Sequence, residues 1–169
     1  MIILLGYMGS GKSSVGRYLS QKKDLNYCDL DGYIEKKEGM SISEIFQSKG
    51  EIYFRKIEHL YLKDILRNKI YQILSLGGGT PCYAGNIDLI NNQNIDSFYL
   101  KVDLDTLTER LFNQKDKRPL LNEIETKIEL KDFIRKHIFE REYYYRQAKQ
   151  ILDVSSLSIS EIADKILKS

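Results

Sequence analysis

Eight residues near the N-terminus constrain this chain more than any others. Gly6-Tyr7-Met8-Gly9-Ser10-Gly11-Lys12-Ser13 follows an apolar run of strand length, Ile2 to Leu5, and leads into a stretch from Ser10 to Gln21 that reads as a helix. The pattern G-x-x-x-x-G-K-S between a strand and a helix predicts a P-loop, whose backbone N–H groups turn inward onto phosphate oxygens. Glycine permits the turn and the close approach. The helix presents its positive end to the anion. Lys12 would set a point charge against the β- and γ-phosphates, and the Ser13 hydroxyl is an expected ligand of Mg²⁺. A nucleoside triphosphate and Mg²⁺ are therefore the expected ligands.

The rest of the chain supplies a sheet to carry this loop. Strands are expected at Tyr27–Asp29, Ile70–Leu76, Ser97–Val102 and Ile151–Val154. Helices are expected at Glu51–Arg67, Asn86–Asn92 and Glu125–Lys149, with Asp103 capping another. Ser41-Ile42-Ser43-Glu44 and Ser158-Ile159-Ser160-Glu161 are capping-box patterns, each opening a helix. Short apolar strands alternating with helices imply a parallel sheet covered on both faces, an α/β fold. Such sheets bind ligands beyond the carboxyl ends of their strands. The P-loop, Asp29 with Asp31, and Gly77-Gly78-Gly79 all fall at that edge. Asn113 to Glu125 holds Lys115, Asp116, Lys117, Arg118 and Pro119 with few apolar residues, so it reads as a loop outside the core and a lid candidate.

Composition removes several classes of function. At 169 residues a single domain is expected. Lys and Arg number 26 and Asp and Glu 24, a net charge of +2, which offers no electrostatic case for nucleic acid or an anionic membrane. No apolar run reaches the ~20 residues of a membrane span. No basic leader with a cleavage site is visible, so a cytoplasmic protein is the default expectation. Cys28 and Cys82 match no metal spacing and are expected to be reduced. Monomer is the default, and no nucleic-acid or membrane partner is expected.

Three further features bear on what accepts a phosphoryl group. Asp29 and Asp31, two apart on an extended chain, would share a face; the alternative is that Asp31 caps a helix starting at Gly32, which does not exclude a catalytic role. Arg55 and Glu58 lie three apart on a helix and can pair; on an exposed face such a pair contributes only a few tenths of a kcal/mol. Three glycines at a strand end exceed what a turn needs, and close approach of a ligand to the backbone explains them better.

Taken in order, these residues resemble shikimate kinase, a small P-loop enzyme of the nucleoside-monophosphate-kinase type. The likeness runs from the P-loop with Gly16-Arg17, through Asp29-Leu30-Asp31 and Ile34-Glu35, to Gly39 through Phe46. It continues with Gly50-Glu51, Phe54-Arg55 and Glu58, the triple glycine, Arg118-Pro119-Leu120-Leu121, and Arg141 with Tyr145 and Ala148. The resemblance implies a three-layer α/β/α fold with a five-stranded parallel sheet in the order 2-3-1-4-5. It also implies a mobile lid at about 112–125 and a shikimate-binding helical part at about 31–62. The implied reaction is phosphorylation of the shikimate 3-hydroxyl by ATP. Its implied nucleotide site is Gly9, Ser10, Gly11, Lys12, Ser13 and Ser14, with Arg110 against adenine and Arg118 descending with the lid. Asp31, Arg55, Gly77, Gly78, Gly79 and Arg141 would hold shikimate; Ser13 and Asp29 would serve Mg²⁺; Lys12, Asp31 and Arg118 would be catalytic.

The chain departs from the family pattern at Tyr143-Tyr144, where relatives often carry Pro-Leu, and at Ser155-Ser156-Leu157, which lacks the charged or amide residue often found near adenine. No aspartate follows the third strand; Ser75 stands there and can hold a magnesium-bound water. The alternatives are another small-molecule kinase, such as a gluconate or nucleotide kinase, and a non-catalytic nucleotide-binding regulator.

Overall fold

The computed structural model describes residues 1–114 and 119–169. Five strands, β1 (Ile2–Leu5), β2 (Tyr27–Asp29), β3 (Ile73–Ser75), β4 (Asp96–Lys101) and β5 (Gln150–Asp153), pair in parallel in the order β2-β3-β1-β4-β5. Helices α1 (Lys12–Lys23), α2 (Leu30–Glu38), α3 (Ile42–Asn68), α4 (Asn86–Asn91), α5 (Leu104–Phe112), α6 (Lys127–Tyr145) and α7 (Ile159–Lys168) cover both faces. This is the expected three-layer α/β/α arrangement. Ile3, Leu4 and Leu5 of the central strand are wholly buried, which is why that strand reads as an unbroken apolar run. Among the described residues, no helix is long and apolar enough to cross a membrane.

Register decides where the loops emerge. Leu4 pairs with Ser75, and Ser75 with Asp29, so three neighbouring strands end level with one another. Two residues beyond each of these positions stand Gly6, Gly77 and Asp31. The candidate site is thus assembled by strand register before any side chain acts.

Local sequence explains the helix boundaries. Ser41 and Glu44 close a full capping box on α3, and Ser158 and Glu161 close another on α7. Asp103 caps α5 by accepting from the Thr106 N–H at 2.8 Å. A third box, Thr126 with Glu129, opens α6; the same S/T-x-x-E spacing carried that signal. Helix α3 is two helices joined at Gly50, whose φ of 80° and ψ of 170° a residue with a β-carbon rarely adopts. The expected break between the Ser41 helix and the Glu51 helix therefore lies at that glycine.

Some expectations need correction. Helix α2 begins at Leu30, so Asp31 lies inside its first turn and does not cap a helix from Gly32. Strand β3 starts at Ile73, because the Gln72 N–H donates to the Asn26 carbonyl at the turn and Ile70 is exposed. The expected lid at about 112–125 is not all outside the core: Leu121 is wholly buried and Ile124 packs against the core. Lys115 to Arg118 lie outside the described residues.

Gly16 of α1 yields a test. A β-carbon there would come within 2.3 Å of the Tyr27 ring and 3.0 Å of Ser75 Oγ. Gly→Ala on an open helix face raises stability by up to ~1 kcal/mol. Here overpacking reverses the sign, and Gly16→Ala should lose ~1–3 kcal/mol in urea unfolding. An unchanged or raised midpoint would contradict this packing.

Candidate active site

The P-loop closes on itself in the manner its composition requires. Gly9 and Gly11 adopt φ of 79° and 94°, and Gly11 is the residue from which α1 starts. Lys12 is 8% exposed, and its ammonium donates to the carbonyls of Gly6 at 2.8 Å and Tyr7 at 3.0 Å. The Ser75 hydroxyl donates to the Lys12 carbonyl at 3.1 Å and is itself buried. It braces the first turn of α1 against β3, and its one donor is used there, leaving the oxygen free only to accept. The Ser10 hydroxyl is buried without a hydrogen-bond partner among the described residues.

A cavity of about 530 Å³ opens over this loop. Gly9 through Val15, Asp29, Asp31, Gly77, Gly78, Arg110 and Gln114 line it, with Leu157, Ile159 and Ile162 as an apolar wall. Arg110 donates to the Gly9 carbonyl at 3.2 Å, which fixes it beside the loop. Arg118 lies outside the described residues.

Asp29 and Asp31 reach this cavity by different routes. Asp29 ends β2, while Asp31 points from the first turn of α2, so the shared-face spacing of an extended chain does not apply. Ser13 Oγ donates to Asp29 Oδ2 at 2.6 Å, and the Tyr27 hydroxyl donates to the same oxygen at 3.2 Å. A hydroxyl and a carboxylate oxygen side by side at a phosphate loop fit a hard cation such as Mg²⁺. No group of three or more His, Cys, Asp or Glu placed to hold a metal ion occurs among the described residues, so such an ion would complete its shell with phosphate and water oxygens. Burial pushes the Asp31 carboxyl up to about 6, and the negative charges of Asp29 and Glu58 add to the effect while Lys12 opposes it.

Each of the three glycines meets a different part of the site. A β-carbon on Gly77 would lie 2.6 Å from Asp31 Oδ1, one on Gly78 3.3 Å from the Met8 backbone nitrogen, and one on Gly79 2.9 Å from Arg55 Nη2. The expectation that a ligand alone crowds this backbone is therefore incomplete, because the protein's own site residues occupy the approach.

Arg55, Gly79 and Arg141 stand beyond the cavity lining. The Arg55–Glu58 pair is not the solvated pair its spacing allowed. Glu58 is 1% exposed; its Oε2 accepts from Arg55 Nη1 at 2.9 Å and its Oε1 from Thr80 Oγ1 at 2.6 Å. The Tyr83 ring covers the Arg55 guanidinium at 3.9 Å, a cation–π contact. Arg141 lies over the Tyr7 ring at 5.9 Å. Burial pushes the Cys82 thiol up to about 11, against the opposing charges of Arg141 and Arg55, so both arginines sit near it. Tyr143 and Tyr144 let α6 run on to Tyr145, whose hydroxyl donates to the Gly78 carbonyl at 2.5 Å. Arg141 is thus held one turn before an anchored residue. Tyr83, Thr80 and the Tyr145 anchor are missing from the sequence reading because each acts through a contact distant in the chain.

This geometry agrees with what comparison with known proteins finds. The family model for shikimate kinase matches residues 8–169. The chain belongs to the shikimate kinase family. It is 46% identical over 166 residues to a shikimate kinase of Flavobacterium johnsoniae, covering 98% of this chain and 96% of the relative. The crystal structure of shikimate kinase from Bacteroides thetaiotaomicron superposes with a TM-score of 0.90 at 31% identity, over 99% of this chain and 96% of that one. Shikimate kinase from Acinetobacter baumannii, solved in complex with shikimate, gives 0.85 at 32% identity, over 99% and 90%. The chain is accordingly a phosphotransferase acting on an alcohol, with ATP as a substrate. Neither the gluconate-kinase nor the regulator alternative is favoured.

The crowding of carboxylates over a shikimate kinase P-loop is measurable. In metal-free protein followed by carboxyl-carbon NMR, Asp31 should titrate near pH 6, and Asp29→Asn should lower that midpoint by removing a neighbouring negative charge. A midpoint near pH 4 would refute the described burial.

Proposed function

We propose that this enzyme transfers the γ-phosphoryl group of ATP to the 3-hydroxyl of shikimate, with Mg²⁺, giving shikimate 3-phosphate and ADP. The observation carrying this reading is the meeting of the P-loop, Asp31 and Arg55 at one strip of backbone, Gly77 to Gly79. A triphosphate tail and a small acid can meet there.

Each residue type suits its part. Gly9, Ser10, Gly11, Lys12, Ser13 and Ser14 bind the phosphates through backbone N–H groups and the Lys12 charge. Binding draws the Lys12 ammonium from loop carbonyls to phosphate oxygens. Arg110 and the wall of Leu157, Ile159 and Ile162 offer two faces for a base between them. Ser13 and Asp29 would hold Mg²⁺, which supplies charge neutralisation on the phosphates when bound.

Shikimate is a carboxylate, and the forked donors of Arg55 and Arg141 suit it. Gly77, Gly78 and Gly79 let Asp31, the P-loop and Arg55 draw close together around its ring. Asp31 accepts hydrogen bonds from its hydroxyls and orients the attacking oxygen. As the new O–P bond forms and the bond from Pγ to the departing ADP oxygen breaks, the hydroxyl proton passes to Asp31, whose raised carboxyl range favours late acceptance. Alignment and charge stabilisation supply most of the rate. Arg118, on a lid spanning about 112–125, would close over the phosphates and exclude water. The helical part at about 31–62 carries the acid-binding side. We read the protein as a cytoplasmic monomer.

A coupled assay across shikimate, gluconate and nucleoside monophosphates tests the reading. Turnover is expected with shikimate; turnover confined to the other acceptors would overturn it. Lys12→Ala should abolish activity. Arg118→Ala should lower kcat by ~100- to 1000-fold without unfolding the chain, and a wild-type kcat would remove Arg118 from the closing element.

A further inference from the structure

Glu58, Thr80 and Asn86 are each no more than 1% exposed. A carboxylate at that depth requires partners on both oxygens. Glu58 has one on each: Arg55 Nη1 at Oε2 and Thr80 Oγ1 at Oε1. The series continues away from the cavity. Asn86 Nδ2 donates to the Thr80 carbonyl at 2.8 Å, and Asn86 Oδ1 lies 2.8 Å from His59 Nδ1. An amide oxygen only accepts, so His59 carries its proton on Nδ1 and donates. Flipping the Asn86 amide would set oxygen against the Thr80 carbonyl, so its orientation is determined.

We propose that Thr80 and Asn86 are positioning residues for substrate: they hold Glu58, and through it the Arg55 guanidinium, at the angle that presents its remaining N–H groups to the acid. This rests on the reading of Arg55 as a carboxylate-binding residue. The guanidinium has little room for another orientation. Its Nη2 and Nη1 lie 2.9 and 3.0 Å from where a Gly79 β-carbon would stand. Thr80 also opens the 3-10 turn Thr80–Cys82 that leads to Tyr83, the ring covering Arg55. Thr80 therefore governs two of the partners that orient Arg55. Without its hydroxyl, Glu58 Oε1 is buried and unpaired. The carboxylate then turns toward Arg55 to satisfy both oxygens and rotates the fork. The P-loop does not take part, so the defect should fall on one substrate.

Steady-state kinetics of Thr80→Val, Thr80→Ser, Asn86→Ala and Arg55→Lys, with shikimate and ATP varied separately, test the proposal. Thr80→Val should raise the shikimate KM about tenfold while the ATP KM stays within about twofold. Thr80→Ser should restore the shikimate KM, since it keeps the hydroxyl, and Asn86→Ala should shift it in the same direction as Thr80→Val. Equal rises in both KM values, an unchanged shikimate KM, or Thr80→Ser as impaired as Thr80→Val would overturn the positioning role. Should Thr80→Val not fold, Thr80→Ala is judged by the same criteria. Arg55→Lys separates the two levels. An unchanged shikimate KM in that variant removes the carboxylate reading of Arg55. A raised value there with an unchanged one in Thr80→Val removes only the positioning role.

Discussion

The backbone of Gly77, Gly78 and Gly79 is the strip against which everything else in the site is placed. On one side it faces the P-loop main chain, on another Asp31, and at its far end the Arg55 guanidinium, each within 2.6 to 3.3 Å of where an added β-carbon would stand. The P-loop main chain and the Arg55 guanidinium are therefore separated by little more than this strip of backbone. Phosphoryl transfer depends on such spacing, because the enzyme contributes mainly alignment and fixed charge. Strand register sets the level: Leu4, Ser75 and Asp29 are paired, and the site begins two residues beyond each.

Charge around this strip is concentrated and mutually constrained, although the chain as a whole is nearly neutral. Asp29 and Glu58 press on Asp31, and Lys12 offsets part of that repulsion. Desolvating several ions together is costly, and it is tolerable only where hydrogen bonds take up each lone pair. Glu58 meets that condition through Arg55 and Thr80. Asp29 meets it at one oxygen, Oδ2, which accepts from both Ser13 and Tyr27. Asp31 accepts no hydrogen bond among those described, and its carboxyl shifts upward. Of these three carboxylates, the one that accepts no hydrogen bond among the described residues is the one whose proposed role requires it to meet a substrate hydroxyl.

Much of this was legible in the residue order, and the reasons are local. Capping boxes at Ser41 and Ser158 announced their helices, since the chemistry is complete within four residues. The P-loop was legible for the same reason. The Asp31 position was reached from a wrong premise, an extended chain, and survived because the first turn of α2 also brings it to the cavity. Glu58 stands at a spacing from Arg55 that fits a solvated pair as well as a buried one. Its burial comes from Thr80 and the elements around it, which no spacing within α3 reveals. Leu121 and Ile124 were likewise hidden by the charged residues just before them.

The sequence by itself determined the phosphate loop, the alternation of strands and helices, and the family resemblance, because each rests on short-range chemistry or ordered motifs. Tertiary structure alone decided that Asp31, Arg55 and the P-loop converge on three glycines. It alone buried Glu58 against Thr80, laid Tyr83 over Arg55, and tied Tyr145 to Gly78. Those contacts join residues 22 to 67 positions apart, and only the packing of helices around a registered sheet brings them within hydrogen-bonding reach.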